Sequence, residues 1–208
     1  YQNDSIVLLN CFSFVIKNVK ILIVYREGAV YVKKLFTPDC YIRSYRELNI
    51  KRLISMGIKQ LVCDIDNTLV AHDVAVADEA VKQFIQNVKD SGLKVVLVSN
   101  NVRERVETFA DGLDVAVYPF AQKPLKKTYK KMLRDSGLAA EQIAVLGDQL
   151  LTDMLGANRL GFYTILTTPV AQKDLKCTKV NRFFENMVFH VLALQGKLHR
   201  GEYDEQTM

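Results

Sequence analysis

Short apolar runs alternate with stretches of helical periodicity along the middle of this chain. Ile58 to Cys63, Val95 to Val98, Val115 to Val117, Ile143 to Leu146 and Tyr163 to Leu166 are nearly continuous in apolar residues. Strands of that kind are covered on both faces, as inside a parallel sheet. Val81, Phe84, Ile85 and Val88 repeat at i, i+3, i+4, i+7, which predicts an amphipathic helix entered through Asp78 and Glu79. That helix ends at Asp90-Ser91-Gly92-Leu93, and Asp135-Ser136-Gly137-Leu138 repeats the phrase after a helix carrying Leu125, Tyr129, Met132 and Leu133. Glycine followed by leucine suits a left-handed C-cap with its hydrophobic contact. Ile50, Leu53 and Ile54, stopped by Gly57, predict a shorter helix before the first strand. Strands alternating with helices predict an α/β fold: three layers, Rossmann-like, a parallel sheet with helices on both faces.

The two ends of the chain differ from this pattern. Ile6 to Ile16 is largely apolar, and Val19 to Tyr25 is a second short run containing Lys20. Eleven residues are too few to span a bilayer, which takes about 20. A secretory signal fits badly, because Asp4 stands where a basic start is expected. A strand pair, an interfacial segment and a translated upstream extension all fit residues 1–32, to which no function is assigned. Residues 33–180 hold the regular pattern. In 181–208, Phe183, Phe184, Met187, Val188, Val191 and Leu192 mark an amphipathic helix that either docks on the domain or lies in a membrane interface.

Composition agrees with one globular domain. Of 208 residues 49% are apolar and the net charge is +5, enough apolar material for a real core. Cys11, Cys40, Cys63 and Cys177 show no paired spacing. That argues for a reducing, cytoplasmic setting and against a disulfide framework or a zinc site.

The chemistry gathers where predicted strands end. Leu61-Val62-Cys63-Asp64-Ile65-Asp66-Asn67-Thr68-Leu69 runs an apolar strand into two aspartates and a threonine. Period 2 in a strand would bring both carboxylates to one face. Unit charges about 4 Å apart repel by about 4 kcal/mol at an effective dielectric of about 20. Such a cost is tolerated when a divalent cation or a proton sits between them. A lone Asp-x-Asp is more often a solvated turn, but three further strand ends carry polar residues. Ser99-Asn100-Asn101 follows the second strand, Lys123-Pro124 opens the helix after the third, and Gly147-Asp148 follows the fourth, with Asp153 five residues on. In open parallel sheets ligands bind beyond the carboxyl ends of the strands.

This constellation resembles the haloacid dehalogenase (HAD) superfamily of phosphohydrolases, whose four motifs match Asp64-x-Asp66-x-Thr68, Ser99, Lys123 and Gly147-Asp148-x-x-x-x-Asp153. From about Lys33 to Val188 the chain is similar to the YqeG family of subclass IIIA. The phrases that carry this are Lys34-Leu35-Phe36-Thr37-Pro38-Asp39, Asp64-Ile65-Asp66-Asn67-Thr68-Leu69, Val98-Ser99-Asn100-Asn101, Gly147-Asp148-Gln149-Leu150-Leu151-Thr152-Asp153 and Asn158-Arg159-x-Gly161-Phe162. The resemblance implies a Mg²⁺-dependent phosphomonoester hydrolase in which Asp64 is the nucleophile of an aspartyl-phosphate and Asp66 the general acid and base. It places Mg²⁺ on the carboxylates of Asp64 and Asp148 and on Asp66 through its backbone carbonyl. Asp153 then lies near the metal or anchors Lys123. Thr68, Ser99, Asn100 and Lys123 would grip the phosphoryl oxygens. Transport ATPases and dehalogenases of the superfamily lack the second aspartate, so Asp66 favours hydrolysis.

Spacing bears on the substrate. Thirty residues separate Thr68 from Ser99 and twenty-three separate Ser99 from Lys123, too few in either gap for a cap domain. The expected site is therefore open and suits a large or surface-presented phosphomonoester. Lys123, Lys126, Lys127, Lys130, Lys131 and Arg134 recur at helical spacing, either as a solvated face or as a surface for a polyanion. Lys173, Lys176, Lys179 and Arg182 add further charge ahead of the last helix. Eukaryotic members of the resembled family are phosphatidylglycerophosphate phosphatases, so a lipid phosphate is the favoured substrate, with peripheral contact at the inner membrane face and no transmembrane segment. A soluble nucleotide, sugar or protein phosphate is the alternative within the same chemistry. An RNA- or ribosome-binding protein with a secondary phosphatase site is the alternative of another class. Nucleic acid is disfavoured because the basic helix offers only Tyr129 for stacking, and the apolar pattern places Tyr129 in the core.

Overall fold

The computed structural model describes residues 6–8, 22–26, 29–32, 34–171 and 178–204. Ahead of the main domain, β1 (Ile6–Leu8), β2 (Leu22–Arg26) and β3 (Ala29–Val32) pair in an antiparallel sheet. The main sheet has six strands: β4 (Cys40–Ile42), β5 (Gln60–Cys63), β6 (Lys94–Val98), β7 (Ala116–Tyr118), β8 (Ile143–Gly147) and β9 (Tyr163–Thr167). They lie in the order β4-β9-β8-β5-β6-β7, and every pairing is parallel. Five of these strands fall within a residue or two of the apolar runs. The edge strand β4 was not foreseen, since Cys40-Tyr41-Ile42 is only three residues long. It is held by side chains: Asp39 accepts from the backbone and hydroxyl of Thr164, and Asn158 donates to the carbonyls of Leu35 and Thr37.

Period 2 along the strands sorts the core into two faces. Leu61, Cys63, Val95, Leu97, Ala144 and Leu146 pack against α2 (Glu79–Asp90) and α3 (Arg103–Ala110), with α1 (Ile50–Ser55) at the same side. Val62, Val96, Val98 and Val145 face α4 (Lys126–Ser136) and α5 (Leu155–Asn158), where Tyr129 and Phe162 meet edge to face. The helices carry the expected end signals. Asp78 caps α2 by accepting from the Val81 backbone at 2.8 Å, a bond worth about 1 kcal/mol, and Gly137 closes α4 at φ 65°. Helix α4 begins at Lys126 rather than at Lys123-Pro124, because Lys123 belongs to the site loop.

A third cluster joins α6 (Thr178–Leu194) to the sheet. Val188, Phe189, Val191 and Leu192 are buried with Tyr41, Leu166 and the π-helical turn Leu150–Met154. After α6 the chain folds back, and Asp204 accepts from the Tyr41 backbone while its own N–H donates to the Tyr41 carbonyl. The apolar stripe of the last helix thus docks on the domain, with Phe183 left exposed. Lys173, Lys176, Cys11 and Cys177 lie outside the described residues. No described helix is long and apolar enough to cross a membrane.

Strand order fixes where a ligand can sit. The chain moves outward from β5 to β6 and β7, then returns to β8 on the other side of β5. That reversal opens a crevice beyond the carboxyl ends of β5 and β8.

Candidate active site

Asp64 stands at the end of β5, its N–H still paired with the Leu146 carbonyl of β8. The chain then curls. Thr68, Leu69 and Val70 all donate to the Ile65 carbonyl, and Asn67 takes φ 64°, a left-handed backbone that asparagine tolerates well. The curl returns the Thr68 hydroxyl to Asp64, 3.0 Å from Oδ2 and 3.3 Å from Asp148 Oδ1.

The same curl corrects one expectation. Strand geometry ends at Cys63, so period 2 does not carry through Asp64 and Asp66. The Asp66 carboxylate turns instead to Asn101 Nδ2 at 3.2 Å, Ser99 Oγ at 3.5 Å and Arg105 Nη2 at 3.0 Å. Its side chain stands outside the group of three acids, Asp64, Asp148 and Asp153, whose oxygens all lie within 4.8 Å of one another.

Lys123 reaches that group from the loop after β7. All three of its N–H bonds have acceptors: Asp64 Oδ1 at 2.5 Å, Asp153 Oδ1 at 2.7 Å and the Val98 carbonyl at 3.1 Å. Asn100 holds the backbone that delivers it, accepting from Lys123 N at 2.7 Å and donating to the Lys123 carbonyl. Asn100, expected as a phosphate ligand, therefore has its side chain engaged on a peptide.

Asp148 and Asp153 come from β8 and the π-helical turn. Asp153 accepts from the Gln149 N–H, and a Cβ added at Gly147 would lie 2.5 Å from the Asp153 side chain, so glycine permits the approach. The turn is tied to α6 by Glu185, whose carboxylate accepts from the N–H groups of Leu150 and Leu151. Beside Asp148 opens a cavity of about 340 Å³, lined among others by Asn67, Gln149, Glu185, Phe189, Arg200 and Tyr203. Among the described residues the buried Asn67 Oδ1 has no hydrogen-bond partner.

Electrostatics follow from this crowding. Burial pushes Asp64 up to about 7, with Asp153 adding to the rise and Lys123 opposing it. Burial also drives Asp148 well above the carboxylate range, reinforced by Asp64, Asp153 and Glu185. Lys123 loses solvation by burial, yet Asp153 and Asp64 outweigh that and hold its ammonium charged well above its ordinary range. When ionised, the three buried carboxylates beside one ammonium carry about two negative charges to be offset, which suits an oxygen-ligated divalent cation.

The model of the family described as mitochondrial PGP phosphatase matches residues 27–171. The chain belongs to that family. Over 167 residues it is 36% identical to the protein named "Probable phosphatase YqeG" of Bacillus subtilis, covering 80% of this chain and 97% of that one. It is 22% identical over 151 residues to phosphatidylglycerophosphate phosphatase 1, chloroplastic/mitochondrial, of Arabidopsis thaliana, covering 68% of this chain and 43% of that one. Among solved structures, the cobalt-bound deoxy-D-mannose-octulosonate 8-phosphate phosphatase of Haemophilus influenzae covers 68% of this chain and 91% of its own, at 18% identity and a TM-score of 0.43. That likeness is too distant to bear on the chemistry. The protein is a YqeG-like phosphatase.

In this PGP phosphatase family member, Asp64, Thr68, Lys123, Asp148 and Asp153 come together in one bonded group, with Asp66 and Ser99 joined to each other beside it. Sequence reasoning missed the partners of Asp66. Asn101 follows directly on Ser99-Asn100 at the end of β6, where its side-chain amide is a candidate donor beside Ser99. Arg105 sits in the first turn of α3, where an arginine carries no distinguishing signal. Glu185 was one charge within an apolar helix stripe, the one clue that it had a buried task.

Proposed function

We propose that this phosphatase hydrolyses phosphomonoesters through an aspartyl-phosphate on Asp64, with phosphatidylglycerophosphate as the favoured substrate. The reading rests on one observation above all: the acids divide into two sets, Asp64 with Asp148 and Asp153 around Lys123, and Asp66 held apart by Ser99, Asn101 and Arg105. Two carboxylates with different surroundings suit two different roles. An oxygen of Asp64 attacks phosphorus and the bond from phosphorus to the alcohol oxygen breaks. Asp66 gives its proton to that departing oxygen. Asp66 then takes a proton from water, whose oxygen attacks the same phosphorus and frees Asp64 as phosphate leaves.

The remaining residues position and neutralise. Lys123 offsets charge on Asp64 and on the phosphoryl oxygens, and Asp153 anchors the ammonium. Thr68 and Ser99 supply hydroxyls at the two sides of the site, and Asn100 holds the Lys123 backbone. Asp64, Asp148 and the Asp66 carbonyl would hold Mg²⁺, which, when bound, draws charge from the phosphoryl oxygens. The cavity beside Asp148, with Asn67 Oδ1, unpartnered among the described residues, on its wall, offers room for a hydroxylated alcohol group.

The short connections after β5 and β6 leave the site without a cap, which supports a substrate presented at a surface rather than enclosed. The test is phosphate release from phosphatidylglycerophosphate with and without Mg²⁺, using Asp64→Asn as the control. Release that requires the metal and is absent in the variant is expected. Faster turnover of soluble esters, with vesicles left untouched, would overturn the lipid substrate while keeping the chemistry.

A further inference from the structure

The mouth of this site is ringed by apolar side chains that fold burial does not explain. Among the described residues, five large hydrophobic residues sit exposed on the loops that leave the carboxyl ends of β5, β6, β7 and β9. Val74 (38%) and Val76 (58%) follow β5, Val102 (45%) follows β6, Phe120 (56%) follows β7 and Val170 (52%) follows β9. Because the sheet is parallel throughout, all of these loops emerge at the catalytic edge.

Hydrogen bonds tie each of them to a residue of the site. The Val170 N–H donates to the Asn67 carbonyl at 2.8 Å. The Phe120 N–H donates to the Asn101 carbonyl at 3.0 Å, and the Val102 N–H donates to Asn101 Oδ1 at 2.8 Å. Val74 and Val76 flank Ala75, whose carbonyl accepts from the same Arg105 that pairs with Asp66. Phe120 adds a second sign, since it stands at φ 50°, where a bulky side chain is strained. Strain of that kind persists where the surroundings impose it, and it gathers at functional sites.

We propose that this ring is an interfacial contact that seats the open mouth on an anionic lipid bilayer. Apolar side chains gathered at the rim of one opening suit insertion among lipid headgroups, where each can sink beside the substrate. Charge points to the same partner. Lys126 and Lys127 open α4 next to the site loop, and neither is held in an ion pair among the described residues. Asp73 and Glu104 lie on the neighbouring segments, so the attraction is strongest on the α4 side. The proposal rests on the lipid-phosphate reading of the site and adds how the enzyme meets its substrate.

The test uses the full chain and three substitutions, Val76→Ser, Val102→Ser and Phe120→Asn, combined in one variant. None should harm folding: serine suits the N-cap of α3, where Val102 makes no side-chain cap bond, and asparagine tolerates the Phe120 backbone. The measurements are sedimentation with phosphatidylcholine vesicles, with and without phosphatidylglycerol, and turnover of phosphatidylglycerophosphate in vesicles and of soluble p-nitrophenyl phosphate. The wild type should sediment with the anionic vesicles, and the triple variant should lose roughly tenfold in vesicle affinity and in lipid turnover, with soluble turnover within about twofold of wild type. Equal vesicle binding and equal lipid turnover in wild type and variant would overturn the proposal. A wild type that ignores vesicles and forms a dimer that the variant abolishes would also overturn it, giving the surface to a second copy. Vesicle binding that depends on the ring, without hydrolysis of the lipid, would uphold the contact and defeat the substrate reading alone.

Discussion

Arg105 Nη2 lies 3.0 Å from Asp66 Oδ1, and the same guanidinium donates through Nη1 to the Ala75 carbonyl at 2.9 Å. The second bond anchors the arginine to the loop after β5, so the pair fixes how the Asp66 carboxylate is turned. If Asp66 protonates the departing alcohol, this orientation matters most when that oxygen is a poor leaving group. Arg105→Ala should therefore slow hydrolysis of an alkyl phosphate by about tenfold in kcat, a fraction of what general acid catalysis supplies. The loss on p-nitrophenyl phosphate, whose leaving group needs little help, should be smaller, and added guanidinium should restore part of the alkyl rate. Equal losses on both esters would assign Arg105 a purely structural task.

Lys123 is the ammonium that Asp64 and Asp153 share, and these partners, at 2.5 Å and 2.7 Å, are both buried. Replacing one member of a buried ion pair leaves the others uncompensated, at a cost of about 3–5 kcal/mol. Lys123→Met should lower stability by that order in EDTA and remove phosphatase activity. Mg²⁺ should return part of the stability, because a bound cation offsets the same carboxylates. Denaturant unfolding with and without the metal measures both effects, and an unchanged midpoint in EDTA would show that the charges are relieved by another route.

Much of this arrangement was legible in the amino-acid sequence, for identifiable reasons. Continuous apolar runs named five strands because both sheet faces are covered, and the alternation of Leu61, Val62 and Cys63 between two helix layers is the same fact seen in the structure. Asp64, Lys123 and Asp148 could be placed at one edge because parallel strands end on one side. What escaped depended on side-chain direction. The curl through Asn67 turns Asp66 away from Asp64, and no periodicity reports a turn at φ 64°. Strand β4 is too short to show a pattern, and its segment is held by Thr164 and Asn158, which lie 125 residues from Asp39 and 121 from Thr37 in sequence. Glu185 lies in an apolar stripe, and its N–H partners are 34 and 35 residues away.

Gly147 gives a prediction about packing alone. A methyl group there would lie 2.5 Å from Asp153 Cβ and Cγ, closer than real contacts allow. Gly147→Ala should thus displace Asp153 and, through it, Lys123, at an overpacking cost of about 1–3 kcal/mol. Activity should fall further than stability alone explains, because the displaced aspartate no longer holds the ammonium in place. Thermal unfolding and kcat on a soluble ester separate the two, and full activity with a lowered midpoint would show that the lysine keeps its position without Asp153.

Glu185 supplies a pH dependence whose sign can be worked out. Burial pushes its carboxyl up to about 7 from an ordinary 4.5, although the N–H groups of Leu150 and Leu151 pull the other way. Between those values the folded state binds the proton more tightly than the unfolded chain does. Glu185 therefore stabilises the fold most below its unfolded value, and that contribution is lost as pH rises through its folded one. The side chain is partly open to the cavity beside Asp148, so solvent screens the effect. Glu185→Gln removes the titration while keeping one acceptor for the π-helical turn. In EDTA, the midpoint of the wild type relative to this variant should be higher near about pH 5 than near about pH 8 by a few degrees. A difference that grows with pH instead would mean that the ionised carboxylate, gripped by two backbone donors, is the form the folded protein prefers.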